Sequence, residues 1–544
     1  MSHQLIKICD SQNLLNITEY WSFVMMSFHR NLIGMAITTA FAAPAAMAQT
    51  FMPDNLIVSR TVYQGVASTV TVGQTLSGGG KATNDGTFPN VFKNEVVDAA
   101  FGVTTPIFLD QMTTSGSRIS SLAIDSSLVS SSFASKSELA LNVSTDGTAI
   151  TFMGYIAPKN TLDVSNSNTP GLFDATNPVT STNQRAVVQV NLNSGAVQVT
   201  GVNAYSGNNG RAAVLANGSY YMVGNTGNGS GNGTMLSQLS DTTGVQRIAV
   251  GSSGVTTAVG QALGTYGSAT GYQRGFSIQQ LADPANPGQN YAAGKTSKET
   301  NFRGMTVFDN TLYVSKGSGS NGVNTVYQVG AAGSLANGAT ISNAAITILP
   351  GFNALSEKVA ETPATLTATP HPFGMWFANA STLFVADEGD GVRLGMSGKV
   401  TTFAGLGEYK LVNGNWSQVA TFQKGLLDQS VYTNGLPWNV QTDGLRNITG
   451  RTNADGSFTI FGTTSTVSNE LTHDLGGDPN ELVSINITAG STSANTSFTV
   501  LETAAAGERL GGVAVAAVPE PQTYALMLGG LIAIGALARR RRVY

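Results

Sequence analysis

The chain has 544 residues, with 28 Lys and Arg against 32 Asp and Glu, and charged residues make up only 11% of it, where about 25% is usual. A net charge of −4 with no basic stripe excludes a nucleic-acid partner, which demands clustered positive charge, and 41% hydrophobic residues exclude a disordered polymer. Cys9 is the only cysteine, which excludes a disulfide framework and any thiolate metal centre.

Residues 1–24 read as an extension ahead of the true start. Asp10 and Glu19 make a poor leader, and Met25 or Met26 is the expected first residue. Residues 25–48 have the layout of a signal peptide. Arg30 gives the positive region, Leu32 to Ala43 the apolar region, and Ala46 and Ala48 the small residues of the cleavage site, with the cut expected after Ala48.

Residues 49–517 form the expected exported body. "RAAVLANGSYYMVGN" (211–225), "RGMTVFDNTLYVSKG" (303–317) and "FGMWFANASTLFVADEG" (373–389) share one form: a short strand, a tight polar turn, and a second alternating strand. "LALNVSTDGTAITFMGY" (139–155) and "RNITGRTNADGSFTIFG" (446–462) fit it more loosely. Asn-Gly at 217–218 and Asp-Gly at 146–147 and 455–456 supply the positive φ that hairpin turns need. Alternation predicts that Leu312, Val314, Leu383, Val385, Phe458 and Ile460 point inward.

The turns fall near residues 146, 217, 309, 379 and 455. Antiparallel units at such intervals predict an all-β fold, a β-propeller of six or seven oversized blades with helices nearly absent. A β-helix or a pair of sandwiches is the competing architecture. "RLGGVAVAAV" (509–518) reads as the opening of a repeat that stops early, and "DNLIVSRTVYQG" (54–65) as the source of a missing strand. A blade mixed from both ends would remove the open sheet edges. The repeat cores resemble the loose NHL and gluconolactonase-like propeller pattern. That resemblance implies carboxylates and a metal at the central channel.

Chemical motifs are sparse. His371 and His473 are the only histidines after the signal, and no H-E-x-x-H, G-x-S-x-G or intact phosphate loop occurs. In "SGGGKAT", Thr75 and Ala82 stand where a phosphate loop around Lys81 requires glycine and Ser/Thr. His371 is expected as a loop residue bonded to main chain. Two acidic clusters remain. "ADEGDG" holds Asp387, Glu388 and Asp390, and "HDLGGDPNE" holds Asp474, Asp478 and Glu481, the preferred candidate for calcium. Trp376 and Trp438 lie near loops, where an exposed ring stacks on sugars and a buried one fills a blade.

Residues 518–544 are a distinct element. Pro519, Glu520 and Pro521 precede an apolar stretch carrying Leu526, Leu528, Leu531, Ile532, Ile534 and Leu537, and Arg539, Arg540, Arg541 and Arg542 follow it. As a helix, Tyr524 to Ala538 would span about 22 Å, short of a hydrocarbon core roughly 30 Å thick. The arginines would anchor its cytoplasmic side.

The order of proline-glutamate-proline, short apolar helix, arginine cluster and chain end resembles the PEP-CTERM sorting signal of Gram-negative bacteria. The resemblance implies that Pro519, Glu520 and Pro521 are the peptide an exosortase recognises, that Leu526 to Leu537 dock it in the membrane, and that Arg539 to Arg542 stop it. On that basis the chain is an exosortase substrate. It is expected to pass through the export machinery and the inner membrane to the cell surface or extracellular matrix. There it would serve as a structural or binding component, with exopolysaccharide as a candidate partner. A glycan-binding module and a calcium-dependent gluconolactonase-like enzyme are the alternatives.

Overall fold

The computed structural model describes residues 50–516 apart from 64–70, 76–80, 82–101, 134, 136–137, 176, 228–237, 265–271, 296–297, 320, 337–340, 357–368, 392–402, 432–435, 437–438 and 469–477. The signal segment, the C-terminal tail, Trp438, His473 and Asp474 therefore lie outside the described residues.

Turn chemistry sets the repeat. Asn217 and Gly218 have φ of 48° and 71°, and Asp309 and Asn310 have φ of 44° and 53°. Both pairs make two-residue hairpin loops, closing Ala216 against Ser219 and Phe308 against Thr311. Positive φ at both central positions gives the twist that flanking strands require, and Asn and Asp tolerate it after glycine. Every turn picked out in the sequence is the first hairpin of a blade, between its inner strand and the next.

Six blades result, and the fold is a β-propeller. Blade 2 runs through Asn142–Val143, Ala149–Tyr155, Arg185–Asn191 and Val197–Val202. Blade 3 runs through Gly210–Ala216, Ser219–Gly224, Gly244–Ala249 and Thr257–Ala258. Blade 4 holds Met305–Phe308, Thr311–Lys316, Thr325–Val329 and Ile346–Ile348, and blade 5 holds Pro372–Asn379, Thr382–Asp387, Gly405–Val412 and Asn415–Phe422. Blade 6 comprises Val440–Thr452, Phe458–Ser468, Glu481–Ile487 and Thr499–Thr503, with Ser430–Val431 added at its inner edge. Blade 1 is mixed: its inner strand is the last of the body, Glu508–Val515, and Leu56–Val62, Ile107–Met112 and Arg118–Ala123 complete it. Leu56 pairs with Val515 and Val62 with Glu508. The closing blade has no inner turn because two chain ends meet there, so five turns accompany six blades.

The apolar core is divided among the gaps between blades. Ile57, Leu109, Phe152 and Val188 fill the gap between blades 1 and 2, while Met153, Val187, Tyr220 and Met222 fill the next. Clusters around Phe302 and Tyr327, Leu383 and Met375, Phe384 and Ile485, and Leu510 and Phe461 fill the remaining four. A blade flanked on both sides must be apolar on both faces. Leu312, Val314, Leu383, Val385 and Ile460 are buried as alternation predicts, but so are Tyr313 and Phe384 between them. Phe458 departs from the expectation, being only half-buried at the start of its strand, where it packs edge-on against Trp376 and Phe384.

Glycine at the second position of two repeats has a packing reason. A Cβ on Gly374 would stand 2.8 Å from the Arg446 carbonyl oxygen, and one on Gly304 would collide with the Phe373 carbonyl. Neighbouring inner strands touch main chain to main chain at these points. Contacts between successive inner strands run unbroken from blade 1 through blade 6 and back, so the ring is closed.

Candidate functional site

The inner strands begin at one end of the ring axis, and charge collects there. Arg211, Arg303 and Arg446 open three of the five hairpin repeats, and Arg509 stands near the start of the closing strand; all four are buried. Bulges aim several of these side chains. Gly210 pairs with Gly224 and Ala212 with Val223, which makes Arg211 an extra residue in its strand. Asp443 and Arg446 are extra residues in the same way, between Thr442 and Gly444 and between Leu445 and Asn447. Bulges turn side chains out of the regular ladder and recur beside functional sites.

Arg211, Arg303 and Arg446 are each tied into the ring. Arg211 Nη1 donates to the Phe302 carbonyl at 3.0 Å and to Asn301 Oδ1. Arg303 Nε donates to Ser318 Oγ at 2.8 Å, and its guanidinium carbon lies 6.0 Å from the ring centre of Phe373, the residue that opens the blade 5 repeat. Arg446 Nε meets Glu388 Oε2 at 3.2 Å. Burial pulls the Arg446 pKa down, and Glu388 works against that pull.

Carboxyls interleave with these arginines. Asp387 ends the second strand of blade 5, where its Oδ2 accepts from the His371 main-chain N–H at 2.5 Å and its Oδ1 from that of Gly389 at 3.0 Å. Asp443 Oδ2 accepts from the Gly391 N–H at 2.9 Å. Gly389, at φ 84°, fits between the two carboxyls, and a Cβ there would collide with Asp443. Burial pushes both carboxyls above the usual range, and for Asp443 the neighbouring Asp390, Glu388 and Asp387 add to it. On blade 2 the buried Glu138 accepts from Ser132 N–H and Ser131 Oγ, each at 3.0 Å, and from the Tyr155 hydroxyl. The site thus offers cationic donors and buried carboxyls side by side. It can hold a polar ligand over the axis without any covalent step.

The sequence-predicted residues divide sharply. Asp387, Glu388 and Asp390 do come together, joined by Asp443 from the next blade. His371 makes main-chain bonds: its N–H reaches Asp387, and its carbonyl accepts from Glu388 N–H at 3.1 Å. Of the calcium trio, Asp478 and Glu481 are buried, and Glu481 Oε1 accepts from Thr503 Oγ1 at 3.3 Å. Among the described residues no group of three His, Cys, Asp or Glu side chains is placed to hold a metal ion. Trp376 is half-buried in the gap between blades 5 and 6, stacked 5.9 Å from Phe384. Pro519, Glu520, Pro521, the apolar tail, Arg539 to Arg542, Ala46 and Ala48 lie outside the described residues, and no described helix is long and apolar enough to cross a membrane. The arginines were missed although they lead the quoted repeats, because their grouping emerges only once those repeats are arranged around a ring.

No family model matches this sequence, and no curated protein matches it. Among solved structures it is similar to a candidate 6-phosphogluconolactonase from Bacteroides uniformis, at 10% identity and a TM-score of 0.30, over 77% of this chain and 94% of that one. A second candidate 6-phosphogluconolactonase, from Bacteroides fragilis, gives 11% identity and a TM-score of 0.28 over 82% of this chain and 98% of that one. A functionally unknown protein from Desulfotomaculum acetoxidans gives 12% and 0.27 over 74% and 99%. Likenesses this slight carry no inference about activity. The propeller is established by strand order alone.

Proposed function

We propose that the chain is an exported β-propeller that serves as a binding or structural component of the cell surface or extracellular matrix. In this reading an exosortase handles its C-terminal tail while the apolar segment sits in the inner membrane. One observation carries it: proline-glutamate-proline, a charge-free stretch and four arginines stand in that order at residues 519–542.

The layout of the body supports the reading. The closing strands run from Leu56 and end at Val515. Asp54 N–H donates to the Ala516 carbonyl at 3.2 Å, and Ala516 N–H to the Asn55 carbonyl at 2.8 Å. A cut after Ala48 and another near Pro519 would therefore leave every blade whole. Binding is favoured over catalysis because Arg211, Arg303, Asp387 and Asp443 are each held in place by hydrogen bonds within the body. The calcium-dependent, lactonase-like alternative would need Asp387, Glu388 and Asp443 to share a cation, but they are not placed to hold one and Arg446 stands among them.

The test is sorting in the native host. With Pro519, Glu520 and Pro521 all replaced by alanine, the protein should accumulate in the inner membrane with its tail intact. If that variant reaches the surface as the parent does, the exosortase reading fails.

A further inference from the structure

Between blades 4 and 5 lies a cleft of about 250 Å³ that opens beside the charged end of the ring. Strand register builds it. Val385 faces Gly407, Asp387 faces Gly405, Leu383 faces Tyr409, and Tyr409 faces Gln418, so these side chains share the side of blade 5 that looks toward blade 4. Gly407 leaves a gap in that row. A Cβ there would stand 2.9 Å from Tyr409 Cε2 and 3.3 Å from Gln418 Nε2, so the tyrosine ring lies down over the glycine. Phe352, arriving from blade 4, stacks on that ring with centroids 4.4 Å apart and planes 19° apart. The half-buried pair forms a flat wall, Asp387 lies buried at the inner end, and Gln418 is exposed at the mouth.

The lining narrows the chemistry. Among the described residues no lysine or arginine contributes to it and Asp387 is its one charged residue, so this lining offers an anion no counter-charge. The carboxyl is already fixed by the main-chain N–H groups of His371 and Gly389. Its orientation is therefore set before any ligand arrives. Burial raises its pKa, and burial together with Asp387 raises that of Tyr409, as expected of groups shielded from water. An apolar face with a few fixed polar groups is the general design of a small-molecule site. The volume holds about eight waters at ~30 Å³ each, room for one ring.

We propose that this cleft is a subsite for one neutral hexopyranose unit of a polysaccharide, stacked on the Phe352–Tyr409 wall, with Asp387 and Gln418 taking its hydroxyl groups. The proposal rests on the reading of the body as a binding component and is independent of how the tail is processed.

Calorimetric titration of the full-length protein with cellotetraose, maltotetraose, mannotetraose and chitotetraose, with choline as a cationic control, tests it. At least one oligosaccharide should bind, and Asp387→Asn and Tyr409→Leu should each weaken it by about tenfold or more. Gly407→Ala, which tips the tyrosine ring into the cleft, should weaken it too, and serves if the other variants fold poorly. The proposal is overturned if no oligosaccharide binds the parent, if the three variants bind as well as it does, or if choline alone binds. None of these outcomes alters the C-terminal mass of the exported protein, which reports on sorting separately.

Discussion

Asp163 is a carboxyl that the fold tolerates at a cost. It caps the short 3-10 turn Val164–Asn166 with φ 53° and ψ 35°, fully buried, and its Oδ1 accepts from Asn166 Nδ2 at 2.6 Å. Its Oδ2 has no hydrogen-bond partner among the described residues. Burial raises its pKa from 3.8 to about 7. The folded protein therefore holds the proton through a range in which the unfolded chain has released it. Stability falls as pH rises from about 4 to about 7, and above that the full penalty of a buried charge applies. Asparagine keeps the shape, tolerates the left-handed conformation and carries no charge. Asp163→Asn should raise the melting temperature at pH 8 by several degrees, with the gain vanishing near pH 4. Thermal unfolding at both pH values checks it; an equal shift at both would mean that charge is not the cause.

Arg185 plays the opposite part for a whole element. It is fully buried at the start of the third strand of blade 2. Its guanidinium donates to the carbonyls of Ser167 and Asn183 at 2.9 Å, Ser165 at 2.7 Å and Asn208 at 2.8 Å. One planar fork thus holds the long connection before this strand against the start of blade 3. Burial lowers its pKa to about 10, partly offset by Tyr155 and Glu138, so it stays charged at neutral pH. Lysine keeps the charge but cannot supply the fork. Arg185→Lys should lose roughly 2–4 kcal/mol and speed hydrogen exchange in residues 160–184 ahead of the rest of the body. Uniform exchange across all blades would contradict this.

How much of these elements could be read in advance follows from where their information lies. The inner hairpins were legible because a tight turn writes itself locally, in Asn-Gly and Asp-Gly pairs. The bulges at Arg211, Asp443 and Arg446 were not, since an extra residue shows only against its partner strand. The meeting of Asp387 with Asp443 likewise joins two blades, and no local pattern announces it. Alternation picked out the buried Leu312, Val314, Leu383, Val385 and Ile460, but it says nothing of Tyr313 and Phe384, which face a neighbouring blade.

For the whole molecule, closure is the decisive feature. Pairing Leu56–Val62 with Glu508–Val515 removes the sheet edges an open ring would expose. This pairing was legible as a truncated repeat at one end and a spare strand at the other. The blade number was legible as six or seven and no more narrowly, because the closing blade has no turn of its own to count. The pair begins at Leu56 and ends at Val515, which face each other, so the described body enters and leaves the ring at one end of the same strand pair. The most direct test of the exported, tail-sorted propeller is the intact mass of the protein recovered from the surface or medium of its native host. A mass for a chain starting at Gln49 and ending between Val518 and Pro521 is the predicted result. A chain that keeps residues 522–544 at the surface would contradict it.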